Sequence, residues 1–309
     1  MSRRAYLAPL LAAAFFSAPA LAQTAAPKPA AATTAGKPVG KPALWVVKDA
    51  DTTIYLFGTF HLYNGRTNWF TGKVRDAFDR SNEVIFEIDP TAATANQPAF
   101  GALVQRYGMR PVDAPPLSKV AGVDLPALER ERKGTGLSQQ ALDRMQPWLA
   151  ALTFSLVTPQ KMGLTGEQGA ERVIARAAVS AKKRIGELET AEGQIRLLSG
   201  LSEPVQIQLL NSTLAESGRS RAMYDRMIAA WEAGDVNTLS KLLNESLDHY
   251  PALQKALITD RNARWAKAIE TMLKKPGSVM VAVGSGHVSG AGSVQELLRK
   301  DGVTAVRLQ

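Results

Sequence analysis

Near each end of the chain, a run of apolar residues leads through a glycine and two further residues to a histidine. The first of these two units spans residues 54–61 and ends at His61, and the second spans residues 279–287 and ends at His287. Short apolar runs of this kind are typical of buried β-strands, and a glycine at a strand's end permits a sharp turn. In open α/β sheets, ligands bind at the carboxyl ends of the strands. The pattern therefore predicts a sheet that presents both histidines at one rim.

The order of the other predicted elements extends this reasoning to the whole chain. β-Strands are expected at residues 44–48, 53–57, 83–88, 184–188, 278–283 and 303–308. Helical spacing of apolar residues predominates over about 99–275, where Pro147 is expected to divide one helix and Asp260 to cap the start of another. We therefore expect an α/β fold. Its β-sheet core is built from the N- and C-terminal strands, and a large helical insertion in the middle covers the rim.

The first 42 residues have the composition of an export signal followed by a linker. Two arginines precede an alanine-rich apolar run, and a small-residue site predicts cleavage after Ala22. Residues 1–22 are expected to be a signal peptide, which places the mature protein in the periplasm or outside the cell. The paired arginines also approach a twin-arginine signal, so both export routes stay open. Residues 23–42 are expected to be a disordered Ala/Pro-rich linker, followed by one domain over 43–309.

Composition excludes several classes of site. The chain has no cysteine, which excludes disulfides, thiolate-bound zinc and a cysteine nucleophile, and no Gly-x-Ser-x-Gly elbow indicates a serine hydrolase. The formal charge of +9 comes from basic residues that are spread along the chain and mixed with acids, as on an ordinary solvated surface. No segment after the signal is apolar enough to span a membrane. The expected partner is therefore a peptide or small-molecule substrate, and no nucleic acid.

Two imidazoles that meet at a rim can begin a metal site or an acid/base pair. Such a metal site needs a carboxylate, and Glu87 closes the third predicted strand between apolar neighbours, as a third ligand or as the general base. Two nitrogens and an oxygen without sulfur suit Zn, Mn, Co or Fe. His61, His287 and Glu87 are therefore predicted as both metal ligands and catalytic residues. The alternative that Glu87 lies on a solvated face of the sheet stays open.

Three further polar residues are expected to support the pocket. Glu189 follows the mid-chain strand, and Arg261 and Asn262 occupy a helix's first turn, which is the unfavourable end for a cation. They are predicted to bind substrate or to orient the metal ligands. The alternatives are that Glu189 only caps a helix and that Arg261 only pairs with Asp260. The remaining histidine, His249, lacks the glycine pattern and is expected at the surface or in a packing role.

Taken together, five segments resemble the TraB/GumN family, which is related to the Tiki proteases and more distantly to erythromycin esterases and ChaN-like proteins. The segments are residues 55–61, residues 281–287, Glu87, residues 187–190 with Gln194, and residues 260–262. The resemblance covers residues 43–309. It implies an α/β core with a helical insertion and a pocket that holds both histidines and the acid. Tiki-type relatives imply a metal-dependent peptidase, and the esterase relatives imply hydrolysis by the same arrangement.

These observations favour an exported, divalent-metal-dependent hydrolase that resembles a peptidase. Peptides are the first substrate class expected, and esters linked to the cell envelope or to polysaccharide are the second. Two alternatives remain. One is a non-catalytic or regulatory envelope protein whose pocket binds a peptide or small ligand. The other is metal-free acid/base catalysis by His61, His287 and Glu87.

Overall fold

The computed structural model describes residues 36–217, 221–243 and 247–309. The predicted signal peptide, 1–22, and most of the predicted linker lie outside the described residues. The described end of the linker, 36–42, has no helix or strand. It runs along the domain, where the amide of Lys41 donates to the carbonyl oxygen of Glu232 at 2.6 Å.

Strands from both ends of the chain form one six-stranded mixed sheet, as predicted. The strands are β1 (Leu44–Lys48), β2 (Thr52–Thr59), β3 (Glu83–Phe86), β4 (Arg184–Glu187), β5 (Gly277–Gly284) and β6 (Val306–Arg307). Their order across the sheet is β4-β3-β5-β2-β1-β6. β2, β3, β4 and β5 are parallel, whereas β1 pairs antiparallel with both β2 and β6. The expected α/β class is therefore confirmed.

The parallel register brings three strand ends to the same place. β5 lies between β2 and β3, with Thr59 opposite Gly284 and Phe86 opposite Ala282. Because the carboxyl ends of parallel strands share one edge, the residues that follow β2, β3 and β5 meet at a single rim. Segments that are more than 200 residues apart in sequence are joined in this way.

Helices occupy most of the remaining chain. They are α1 (Gly72–Arg80), α2 (Pro90–Ala95), α3 (Gln97–Gly108), α4 (Leu125–Thr135), α5 (Gln139–Asp143), α6 (Pro147–Ser155), α7 (Val157–Lys161), α8 (Ala170–Ser180), α9 (Ala191–Ser199), α10 (Glu203–Ser217), α11 (Arg221–Glu232), α12 (Val236–Leu243), α13 (Pro251–Gln254), α14 (Asp260–Met272) and α15 (Val294–Lys300). No helix in the described part of the chain is long and apolar enough to cross a membrane.

Alternate residues of each strand point to opposite faces of the sheet, and helices cover both faces. On one face, Phe57 and Phe86 pack with residues of α8, α11 and α12. On the other face, Leu56 and Val281 pack with α14 and α15. A third core lies within residues 100–258 and contains no residue of the six strands. The helical middle of the chain is therefore divided: part of it covers the sheet and part forms a core of its own.

Three details of the helical and strand predictions can be compared with the structure. Pro147 divides its helix as expected, because α6 begins at that residue. Asp260 is not a helix cap, which corrects the prediction: a π-helical turn at Lys255–Thr259 runs directly into α14, and Asp260 itself has helical dihedral angles. Its carboxylate pairs instead with Lys255 at 2.6 Å. The last strand, β6, is shorter than predicted and pairs through only two residues.

Candidate active site

The rim formed by β2, β5 and β3 carries the predicted site residues. Glu87 directly follows β3, and His61 lies two residues beyond β2. Gly284 ends β5, and His287 follows in a 3₁₀ turn at Ser285–Val288. The two strand–glycine–histidine units thus lie on adjacent parallel strands and point their imidazoles to the same edge.

Glu87 is a buried carboxylate whose two oxygens are both bonded. Only 5% of the residue is exposed. Oε1 accepts a hydrogen bond from the amide of Gly284 at 2.6 Å, and Oε2 accepts one from Nη2 of Arg261 at 2.7 Å. Burial alone would raise the pKa of Glu87, but the positive charge of Arg261 and the neighbouring histidines lower it to about 2. Glu87 is therefore ionised at neutral pH.

His287 is fixed at both ring nitrogens. Nδ1 lies 2.6 Å from Oδ1 of Asn262, and Nε2 lies 3.1 Å from Nη1 of Arg261. A guanidinium only donates hydrogen bonds, so Nε2 is the acceptor and Nδ1 carries the proton. The amide of Asn262 is itself oriented, because its Nδ2 donates to the carbonyl oxygen of Gly292 at 2.8 Å. Burial and the adjacent Arg261 charge lower the pKa of His287 to about 3, so the ring is neutral.

His61 is held at one nitrogen and open at the other. Its Nδ1 lies 2.6 Å from Oε1 of Glu171, whereas Nε2 is buried and has no hydrogen-bond partner among the residues that the structure describes. Burial alone would lower the pKa of His61, but the Glu171 carboxylate outweighs that effect and the pKa is raised above its ordinary value.

Arg261 connects the acids and one histidine of the site. It is 4% exposed, and besides Glu87 and His287 it contacts Glu189, to whose Oε2 its Nε donates at 3.0 Å. Its Nη1 also lies 3.3 Å from the carbonyl oxygen of Leu257 in the π-helical turn. Such turns often occur at functional sites. The buried charge of Arg261 is compensated by these two carboxylates, and Glu189 has a second cationic partner in the exposed Arg264, at 3.1 Å.

Gly284 leaves a small space between the two functional groups nearest to it. A Cβ added at this position would stand 3.0 Å from Oε1 of Glu87 and 3.0 Å from Nε2 of His61, with Cδ2 of His287 at 3.7 Å. The backbone there has φ −52° and ψ 137°, which any residue can adopt. The need for glycine is therefore steric: its hydrogen keeps the space between the carboxylate and the imidazole open.

The donors around this space fit a divalent cation in part. Within the described residues Nε2 of His61 has no hydrogen-bond partner, and Oε1 of Glu87 faces the same point. Nε2 of His287 lies 3.8 Å from that oxygen, but it is engaged by Arg261. Over residues 36–217, 221–243 and 247–309, no three His, Asp or Glu side chains are grouped as a metal would require. His61 and Glu87 thus suit a cation as they stand, and His287 can join them only if Arg261 releases its Nε2.

The structure brings together all six residues that the sequence singled out. These are His61, Glu87, His287, Glu189, Arg261 and Asn262. Their roles in metal binding or catalysis stay predictions. Glu189 is not a cap, because the side chain of Thr190 caps α9, and Arg261 does not pair with Asp260. His249 is exposed in a 3₁₀ turn outside this group.

One site residue was missed by the sequence reasoning. Glu171 contacts His61, but in the sequence it is an acid in the first turn of a helix, where acids are common. The only sequence signal is the glycine two positions before it, Gly169. A Cβ there would overlap the carbonyl oxygen of His61, so the glycine allows α8 to begin against the His61 segment.

Comparison with known proteins identifies the family. A model of the TraB/PrgY/gumN family matches residues 43–307. The chain is 25% identical to an uncharacterized protein, YbaP, of Escherichia coli (strain K12), over 84% of this chain and 92% of that protein. It is 25% identical to Metalloprotease TIKI1 of Xenopus tropicalis and 23% identical to Metalloprotease TIKI1 of Homo sapiens, each over 84% of this chain and 60% of the relative.

The chain thus spans about three fifths of the length of those metalloproteases, so the resemblance does not extend over their whole length. No solved structure matches the chain significantly. The matched range, residues 43–307, spans both Gly-x-x-His units, Glu87, Glu171 and the 260–262 segment. The resemblance predicted from those motifs is confirmed: the chain belongs to the TraB/PrgY/gumN family.

Proposed function

We propose that this protein is an exported, divalent-metal-dependent hydrolase of peptides. The observation that carries the proposal is the pair of atoms around Gly284. A buried imidazole nitrogen of His61, without a hydrogen-bond partner in the described part of the chain, and an ionised carboxylate oxygen of Glu87 face one small space. Two similar relatives bear the name metalloprotease. Peptides are therefore the first substrate class, and esters are the second.

His61, Glu87 and His287 would hold the ion, which is Zn, Mn, Co or Fe by the chemistry of its donors. When bound, such an ion polarises the scissile carbonyl and lowers the pKa of a bound water. Glu87 is ionised at neutral pH, so a carboxylate is present to accept a proton from water if it is not itself consumed as a ligand.

Arg261 has two effects in this account. It keeps Glu87 charged in a buried setting, and it occupies Nε2 of His287, which it would have to release for that nitrogen to hold a cation. Asn262 holds Nδ1 of the same ring, so that Nε2 keeps its lone pair toward the rim whether Arg261 or a metal is its partner. Export follows from the predicted signal peptide at 1–22, with the periplasm or the exterior as the location.

The test is cleavage of a peptide library, read by mass spectrometry, with purified mature protein. We expect chelator-treated protein to be inactive and added Mn²⁺, Co²⁺ or Zn²⁺ to restore cleavage. His61→Ala should abolish it, while the matched variant His249→Ala, at an exposed histidine outside the pocket, should behave as wild type. Full activity in chelator-treated protein would refute the metal and favour acid/base catalysis by the same residues.

A second candidate function is ligand binding without turnover. The observation that favours it is the burial of the site, in which Arg261 already occupies His287. In that case, the pocket would bind a peptide or small ligand, and no peptide or ester would be hydrolysed with any of the three metals supplied. A peptide captured intact by the wild type, but not by His61→Ala, would identify this function.

A further inference from the structure

We propose that Glu171 is a positioning residue for His61: its carboxylate keeps the ring proton on Nδ1, so that the lone pair of Nε2 points into the space beside Gly284. This inference deepens the proposed function and rests on it for its purpose, but the orientation of the ring can be tested without metal or substrate. The evidence is the 2.6 Å ion-pair contact between Nδ1 and Oε1, an oxygen that makes no hydrogen bond of regular geometry within the described residues, together with Nε2, which has no partner there either.

The backbone holds Glu171 in place. The amide of Ala170 donates to the carbonyl oxygen of Phe60 at 3.0 Å, which ties the first residue of α8 to the residue before His61. Gly169 permits this approach, because a Cβ there would overlap the carbonyl oxygen of His61. The hydrogen bond from Ala170 and the absence of a side chain at Gly169 together place the Glu171 carboxylate next to His61.

A short bridge lies next to this contact and fixes the same two segments. The amide of Tyr63 donates to the carbonyl oxygen of Thr165 at 3.1 Å, and the amide of Thr165 donates back to Tyr63 at 3.0 Å. The loop after β2 and the segment before α8 are therefore joined on both sides of the His61–Glu171 pair. These backbone bonds place the Glu171 and His61 side chains next to each other.

The two histidines of the site are oriented by the same principle. Nδ1 of His287 faces the amide oxygen of Asn262, and Nδ1 of His61 faces the carboxylate of Glu171. In both rings an oxygen from a helix takes the Nδ1 side and leaves Nε2 for the rim. Ligand histidines in metal sites are usually held in this way, and the hydrogen bond at one nitrogen sets which tautomer is present.

An ordinary helix-start acid behaves differently, and this chain offers one for comparison. The side chain of Glu167, four residues earlier, is 73% exposed and pairs with Arg176 at 3.0 Å. The side chain of Glu171 is only 15% exposed and faces an imidazole. An acid that only complements the N-terminus of a helix does not need to be buried. The burial of the Glu171 side chain is therefore explained better by a role toward His61 than by its position in α8.

The experiment is nitrogen NMR of the histidine rings in metal-free protein at alkaline pH. Long-range proton–nitrogen spectra distinguish the two neutral tautomers, and three histidines are few enough to assign with His249→Ala and His287→Ala. We expect the Nδ1–H form at His61 in the wild type, and the Nε2–H form to appear in Glu171→Ala. Glu171→Gln keeps an oxygen acceptor and should retain the wild-type tautomer, and Glu167→Ala should change nothing.

A second readout is the affinity for Co²⁺ in a calorimetric titration. Loss of an orienting partner usually weakens metal binding by ~10–100-fold, so we expect a fall of that size in Glu171→Ala and none in Glu167→Ala. An Nε2–H tautomer at His61 in the wild type would overturn the inference, even if no variant folds. So would a wild-type tautomer in folded Glu171→Ala. If the wild type binds no metal while the tautomers behave as expected, the proposed function fails and the role of Glu171 stands.

Discussion

Gly284→Ala is the sharpest single change that the structure offers, because it fills the site without removing any functional group. The new methyl would stand 3.0 Å from both Oε1 of Glu87 and Nε2 of His61. A carbon atom and a non-bonded heavy atom are ordinarily about 3.5–4.0 Å apart, so the Glu87 carboxylate and the His61 ring must each move away by roughly 0.5 Å. Overpacking of this kind costs about 1–3 kcal/mol. Because the backbone suits alanine, the loss of a glycine offsets about 0.4–1 kcal/mol of that cost.

The variant should therefore fold, with its free energy of unfolding lowered by at most ~3 kcal/mol, while function falls much further. Misplacing catalytic groups by a fraction of an ångström to one ångström costs up to ~10²-fold in rate, and we expect a fall of that order in kcat/KM, with weaker Co²⁺ binding. The matched control is Gly101→Ala in α3, where an added Cβ would meet no described atom within 4 Å. It should raise stability slightly and leave activity unchanged. Wild-type metal affinity and turnover in folded Gly284→Ala would refute the reasoning.

Other predictions concern the charged groups. Arg261→Ala removes the ion pair of the buried Glu87 and leaves Glu189 with Arg264 as its ion-pair partner, so it should lower the free energy of unfolding by about 3–5 kcal/mol. Arg264→Ala removes only the exposed partner of Glu189 and should cost about 0–1 kcal/mol. Urea titration measures both changes. Glu87→Gln should lower turnover by ~10²–10⁴-fold if Glu87 is the general base, and it should also weaken Co²⁺ binding if Glu87 is a ligand. Burial and a hydrogen bond to Glu232 raise the pKa of Tyr63 to about 12. The protonated Tyr63 hydroxyl therefore stabilises the fold fully below about pH 10, and this contribution is lost as the pH rises from there toward about 12. The urea midpoint of Tyr63→Phe should fall less steeply over that pH range than the midpoint of the wild type.

The sheet and its rim could be predicted because their signals are local. In each of the two units, an apolar run that ends in glycine indicates a strand followed by a turn. The same pattern near both ends of the chain indicates that the two strands end at one edge of the sheet. Glu87 was found for the same reason, since a carboxylate at the end of an apolar strand is expensive to bury without a partner. The order of the strands, with β5 between β2 and β3, has no such local signal.

The features that were missed depend on contacts between distant segments. Glu171 reads as an ordinary acid at the start of a helix, and its contact with His61 arises only because Gly169 lets α8 approach that segment. Asp260 reads as a cap because nothing in the sequence marks the π-helical turn before it. That turn continues directly into α14, and the guanidinium of Arg261 contacts two carboxylates and an imidazole.

The central claim is that the space beside Gly284 is a divalent-cation site, and anomalous X-ray diffraction from crystals soaked in Co²⁺ or Zn²⁺ tests it most directly. The account predicts one strong peak at the rim, at about 2.0–2.2 Å from Nε2 of His61 and from an oxygen of Glu87, as is usual for these ligands. It also predicts that Arg261 moves away from Nε2 of His287, which then completes the ligand set. Saturating metal that leaves the rim without a peak, with Arg261 still bonded to His287, would contradict the claim.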